Sequence, residues 1–227
     1  MGEIKKAKPQ TRVHPKLDFQ NIINGVKLDG LNDEARAILI VCAETGCRQT
    51  EIYDLSPSSI HLDAAVPHIK VKVEDGECQR EIKNKASRRP VVLVGAALEA
   101  MKRFPNGFPR YRGKEAYSTV VSKYFAENNL SPTPKHYVSS LRHSFESRMI
   151  KAGLSSEERG YMMGHSMKSI KGREVYGNDP DVRIRALYSE LVSFETESWK
   201  PREPEEIFRD IDNILVEDGF RVTSRRR

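Results

Sequence analysis

Ile69, Val71 and Val73 alternate with His68, Lys70 and Lys72. This one stretch of period two, set in an otherwise helical sequence, limits what the chain can become. Such alternation puts apolar side chains on one face of a strand. Asp75-Gly76 follows as a turn signal, and Arg80–Ile82 and Pro90–Val94 supply further strands. On either side the spacing is helical. Leu31, Ala35, Ile38, Leu39 and Cys42 predict a helix over Leu31–Thr45, with Asn32 or Asp33 as its N-cap. Gly46 interrupts, and Arg48–Leu55 reads as a short second helix ending before Ser56-Pro57. Beyond Gly95, helices are expected over 96–104, 117–128, 138–152, 155–163 and 181–195, and Ser155 with Glu158 forms a capping box. Pro201 and Pro204 precede a last amphipathic stretch over 205–216. Helices, a small antiparallel sheet or hairpin, then helices again define an α+β class that is mainly helical.

Residues 1–30 are charged, carry Pro9 and Pro15, and read as a basic arm or linker. Residues 31–198 form the expected domain, and 199–227 a helical extension with a basic tail. Lys and Arg number 38 against 32 Asp and Glu, with a pI near 9.2. The excess is bunched at Lys5–Lys16, at Arg80–Arg89 and at Arg225–Arg227. Bunched cations favour a polyanionic partner, and the central run, lying between folded stretches, is the one expected to meet it. Cys42, Cys47 and Cys78 form no CxxC pair, which argues against a disulfide framework and for a reducing cytoplasm. No segment has the length and apolarity of a membrane span, and no signal peptide is evident.

Several chemistries are excluded by missing motifs. There is no Gly-rich phosphate loop with its Lys, no His pair at helical spacing beside a Glu, and no Gly-x-Ser-x-Gly elbow. Neither a metal nor a nucleotide cofactor is therefore expected. Arg, Lys, His and Tyr remain, and these suit displacement at a phosphodiester. Arg forks neutralise the nonbridging oxygens, a Tyr can attack, and a Lys or His can protonate the leaving alkoxide.

The order of the motifs points the same way. Thr45-Gly46-Cys47-Arg48 is followed by Glu51 and Leu55. Then come Lys83-Asn84-Lys85-Ala86-Ser87-Arg88-Arg89-Pro90, Leu141-Arg142-His143-Ser144-Phe145, Met163-Gly164-His165-Ser166 and Arg173-Glu174-Val175-Tyr176-Gly177. These five segments resemble, in order, the boxes of the tyrosine recombinases of the phage-integrase kind, over about residues 31–195. The resemblance implies a catalytic domain that cuts and rejoins double-stranded DNA through a 3′-phosphotyrosine, without metal or ATP. It implies Arg48 and Arg142 as phosphate ligands, Lys83 (or Lys85, which also fits the hairpin) as general acid, His165 as a phosphate hydrogen-bond donor and Tyr176 as nucleophile. Glu51, one turn from Arg48, is expected to orient it, and His143 to be structural. Gly177-Asn178 places Tyr176 at a loop or helix end. One departure stands out: the family commonly has His three residues before the second Arg, and here Ser139 occupies that place.

The resemblance further implies assembly as a tetramer on DNA, a bacterial or phage-encoded protein of the nucleoid, and a core-binding domain upstream, so that the chain reads as a catalytic fragment. Two rivals are carried alongside: an integrase remnant that binds DNA without cutting it, and a basic RNA- or protein-binding module.

Overall fold

The computed structural model describes residues 28–74, 87–131, 133–165 and 181–219. Lys83, Lys85 and Tyr176, together with the expected Arg80–Ile82 strand, lie outside them. Among the described residues the order is α1 (Asp33–Thr45), α2 (Gln49–Tyr53), a 3₁₀ turn over Pro57–Ser59, β1 (Ile60–His61), β2 (His68–Val71), β3 (Arg89–Val92), α3 (Gly95–Lys102), α4 (Ala116–Glu127), α5 (Ser140–Lys151), α6 (Ser156–Met163), α7 (Val182–Leu191) and α8 (Pro204–Glu217). The expected α+β, mainly helical class is what the chain adopts.

Helix α1 is the centre of the molecule and packs against α2, α3, α4 and α5. It starts where Asn32 Oδ1 accepts the Ala35 amide at 3.1 Å, with Asp33 and Glu34 meeting the positive end of the helix dipole. It stops at Gly46, whose φ of 65° is left-handed. A Cβ there would run into the Phe145 ring, so conformation and space both demand glycine. Ile38, Leu39 and Val41 are fully buried in a first core shared with Ile52, Ile69, Met101, Tyr117 and Leu141. Leu28, from the stretch expected to be an arm, joins that core.

The sheet runs β1-β2-β3, antiparallel throughout, with Val71 opposite Arg89 and Ile69 opposite Val91. Pro90, which has no amide to donate, sits on the edge strand. The expected strand through Val73 ends at Val71; Val73 is 45% exposed because the chain turns inward at Glu74, which accepts from Ser56 and Ser59.

A second core is built from α5 to α8: Phe145, Met149, Leu154, Met162, Met163, Ile184, Leu187, Tyr188, Ile207 and Ile211. Helix α5 belongs to both cores, placing Leu141 in the first and Phe145 in the second. The Ser155/Glu158 capping box opens α6 as the sequence predicts, with amide contacts of 3.2 and 2.7 Å. Helix α7 stops at Leu191 rather than 195. The carbonyl of Val192 is taken by Arg148 Nε at 2.7 Å, and the amide of Phe194 turns to Glu44.

Candidate active site

The reversal of the chain at Gly46 brings the start of α2 over the middle of α5. Arg48 is half-buried at the N-cap of α2. Glu51, one turn on, accepts from the Arg48 amide at 3.0 Å through one oxygen and from Arg48 Nη1 at 2.6 Å through the other. A five-residue helix is too short to hold a long side chain by itself, and this double contact fixes both ends of Arg48.

Arg142 reaches across from α5. Its Nη1 donates to the Gly46 carbonyl and its Nη2 to the Met163 carbonyl. A guanidinium carries five N–H donors in a fixed fork, so these two anchors orient Arg142 and leave donors for a ligand. Arg142 is thus anchored two residues before Arg48, and the two charges, far apart in sequence, act on each other.

A third arginine completes the cluster, and it is the one that sequence motifs alone do not reveal. Arg89, on β3, is 3% exposed. Its Nη2 donates to Glu51 at 3.1 Å and approaches Cys47 Sγ at 3.5 Å; its Nε donates to Met162 O at 3.1 Å and its Nη1 to Ser87 O at 2.9 Å. The expectation that the whole Arg80–Arg89 run meets a polyanion is therefore corrected at Arg89, which points inward, whereas its neighbour Arg88 is exposed. A signal was available: period-two alternation puts Arg89 on the same buried face as Val91.

Three arginines also close the end of α6. The carbonyls of Tyr161, Met162 and Met163 accept from Arg185, Arg89 and Arg142 in turn. Those carbonyls have no partner inside a helix, and cations there complement the negative end of its dipole. Gly164, left-handed at φ 65°, ends the helix, and the His165 amide returns to Gly160 O at 3.0 Å. His165 is thereby fixed at the lip of the cluster, with its side chain exposed.

Electrostatics follow from this crowding. Burial would raise the Glu51 carboxyl, but the charge and hydrogen bond of Arg89, with those of Arg48, outweigh it and hold the group at about 2. Burial, and then the neighbouring Arg89 and Arg48, lower Arg142 to about 10; it stays charged at neutral pH. Burial and then Arg142 push His165 below its usual range, so its ring is neutral there. Cys47 is pushed up by burial, which keeps it a thiol. Three guanidiniums face one carboxylate, and the surplus is positive.

The remaining expected residues fall around this centre. Ser139 is exposed at the N-cap of α5, one turn before Arg142, and accepts the Arg142 amide through its backbone carbonyl at 3.2 Å. His136 does not stand in for it: its Nδ1 lies 3.2 Å from the Thr133 amide. His143 is half-buried on α5. Tyr188, a tyrosine within the described part of the domain, is 5% exposed and donates its hydroxyl to Glu158, so it is not placed as a free nucleophile. Lys83 and Lys85 lie outside the described residues; Glu74, Ser87 and Arg89, on either side of them in sequence, are buried. No group of three or more potential metal ligands occurs among the described residues. A cavity of about 180 Å³ lies elsewhere, between α1 and α3, beside Arg36, Glu99 and Phe104. No described helix is long and apolar enough to cross a membrane.

No family model and no curated protein matches the sequence. Solved structures do. The integrase from mycobacterium phage Brujita is similar over 93% of this chain and 67% of its own, at 17% identity and a TM-score of 0.58. The Tn1549 transposon integrase in complex with transposon right end DNA is similar over 92% of this chain and 69% of its own, at 15% identity and a TM-score of 0.51. Another structure of that integrase, in complex with circular intermediate DNA, has a TM-score of 0.48 and covers 65% of this chain and 56% of its own, at 18% identity. The chain thus spans between about half and two-thirds of the length of these integrases. Its fold is an integrase fold.

Proposed function

We propose that the chain is the catalytic domain of a tyrosine recombinase, which cuts and rejoins DNA strands by transesterification. The observation that carries this reading is the clustering of Arg48, held by Glu51, with Arg142, held at the Gly46 and Met163 carbonyls, close enough for their charges to act on each other and on His165. Such a cluster suits a phosphodiester whose nonbridging oxygens gain charge during displacement, and one preorganised donor can contribute roughly 3 kcal/mol to that step. In this reading the Tyr176 oxygen attacks phosphorus, a 3′-phosphotyrosyl ester forms and the bond to the 5′ oxygen breaks. Lys83 or Lys85 gives that oxygen its proton. A 5′ hydroxyl from a partner strand then reverses the step and releases the tyrosine. The integrases of like fold that are solved with DNA support DNA as the partner. Four copies working on two duplexes would follow from strand exchange.

The test is incubation with a nicked duplex, followed by a denaturing gel. The parent chain should form a covalent protein–DNA adduct, and Tyr176→Phe should form none while keeping DNA affinity within a few-fold. Retarded DNA without any adduct would mean a binder that does not cut, and Ser139 is the residue such a reading would point to. Absence of DNA binding would sink both.

A further inference from the structure

Arg89 lies too deep to meet DNA, yet it carries a full charge into the cluster. Its side chain is 1% exposed, and that of Glu51 is 8% exposed. Glu51 is shared: one oxygen takes Arg48 Nη1, and the other takes both the Arg48 amide and Arg89 Nη2. A lone carboxylate beside Arg48 would cancel the charge that Arg48 needs for an anion, and attraction in a partly desolvated pocket is stronger than in water. With Arg89 in place the carboxylate is already balanced, and it can orient Arg48 without neutralising it.

We propose that Arg89 is a positioning residue that acts as the internal counter-charge of Glu51, so that Arg48 keeps its positive charge for a phosphate. This rests on the reading of Arg48 as a phosphate ligand. Arg89 also has an architectural part, since it binds the Met162 and Ser87 carbonyls and so ties β3 to the end of α6. Geometry alone would make every loss at this position a loss of structure. A counter-charge behaves differently: damage from removing Arg89 should be relieved by also removing the carboxylate. Glutamine at 51 still offers a carbonyl oxygen to the Arg48 amide or guanidinium.

The experiment compares the parent with Arg89→Met, Glu51→Gln and the double variant. It reads adduct formation on the nicked duplex, and NMR perturbation of the Arg48 guanidinium by inorganic phosphate. Arg89→Met should slow adduct formation on the order of a hundredfold, the scale of one lost charged donor. The double variant should recover to within about tenfold of the parent, a coupling that a purely structural residue would not produce. Phosphate affinity at Arg48 should fall and return in the same order. If Arg89→Met does not fold, the double variant, which buries no unpaired charge, and Glu51→Gln carry the comparison. A folded double variant as slow as the single, or slower than Glu51→Gln by the full hundredfold, overturns the proposal. Should the parent form no adduct, the recombinase reading fails by itself. The phosphate titration then still decides this one: unchanged phosphate binding in Arg89→Met, or none at Arg48 in the parent, refutes it.

Discussion

Glu44 shows how far a residue can depart from what its letter suggests. It sits on α1 between Ala43 and Thr45, is 3% exposed, and accepts the Phe194 amide at 3.2 and 3.3 Å. Arg148 stands opposite, its guanidinium 3.9 Å over the Phe194 ring and bonded to Ala43 O and Val192 O at 2.7 Å each. Burial raises the Glu44 carboxyl from 4.5 to about 7, against the pull of Arg148 and the Phe194 amide. A folded value above the unfolded one means that the native state binds the proton more tightly. Its contribution is therefore full below about pH 4.5 and is lost as pH rises towards 7. Glu44→Gln keeps an acceptor for Phe194 but cannot ionise. Measured by urea unfolding, the variant should gain on the parent by about 3 kcal/mol between about pH 4.5 and 8, since each tenfold change in proton affinity corresponds to about 1.4 kcal/mol. A parent–variant difference that stays flat over that range would refute the assignment. Arg89 gives the complementary lesson about legibility. Arg48, Arg142 and His165 were readable because each sits in its own short box. Arg89 hides in a basic run, and only its strand face, shared with Val91, marks it as inward. Its partner Glu51 was readable only as far as Arg48, because spacing reveals a neighbour one turn away and not one across the sheet.

At the scale of elements, periodicity found the helices and contacts set their ends. The 205–216 stretch becomes α8 over Pro204–Glu217, and its apolar face packs on the chain's own α7. Ile207 and Ile211 are fully buried in the second core, with Phe208, Ile214 and Leu215 partly buried around them. Arg202 pins the junction, donating to Glu190 at 2.9 Å and to Asp210 at 2.7 Å. The Arg202–Asp210 pair is exposed and contributes little beside the core. The extension expected over 199–227 thus supplies part of a core through α8. Ile211→Ala should cost about 2 to 5 kcal/mol of unfolding free energy. Assembly on DNA should not change with it. Stability equal to the parent, together with altered assembly, would show that α8 docks on a neighbouring copy instead. The two-residue β1 was illegible, since two residues cannot display alternation.

For the molecule as a whole, the proposed function raises the question of how a basic chain of this size would hold DNA. Its excess of cations is modest, 38 against 32, but part of it is set near the candidate site. Lys70 and Arg88 are exposed on and beside the sheet, whose partner strand carries Arg89 inward to Glu51, and Lys135 is exposed shortly before α5. Among the described residues no helix announces a reader of base edges, so contact with DNA should be made mainly with phosphates, and phosphate contact releases counterions without regard to sequence. A footprint of about six neutralised phosphates gives a log–log salt slope near −5, a loss of roughly a thousandfold between 50 and 200 mM salt. The solved integrases of this fold are longer than the 227 residues here. If a second DNA-binding module of such length is linked to this one, affinity should rise by far more than its charge supplies, because the second contact becomes intramolecular. The measurement is a salt titration of binding to target and scrambled duplexes by the 227 residues alone. The expected result is a steep slope, shared by both duplexes. Nanomolar binding at physiological salt, strongly selective for one duplex, would show that these residues read sequence by themselves and that the phosphate-dominated account is wrong.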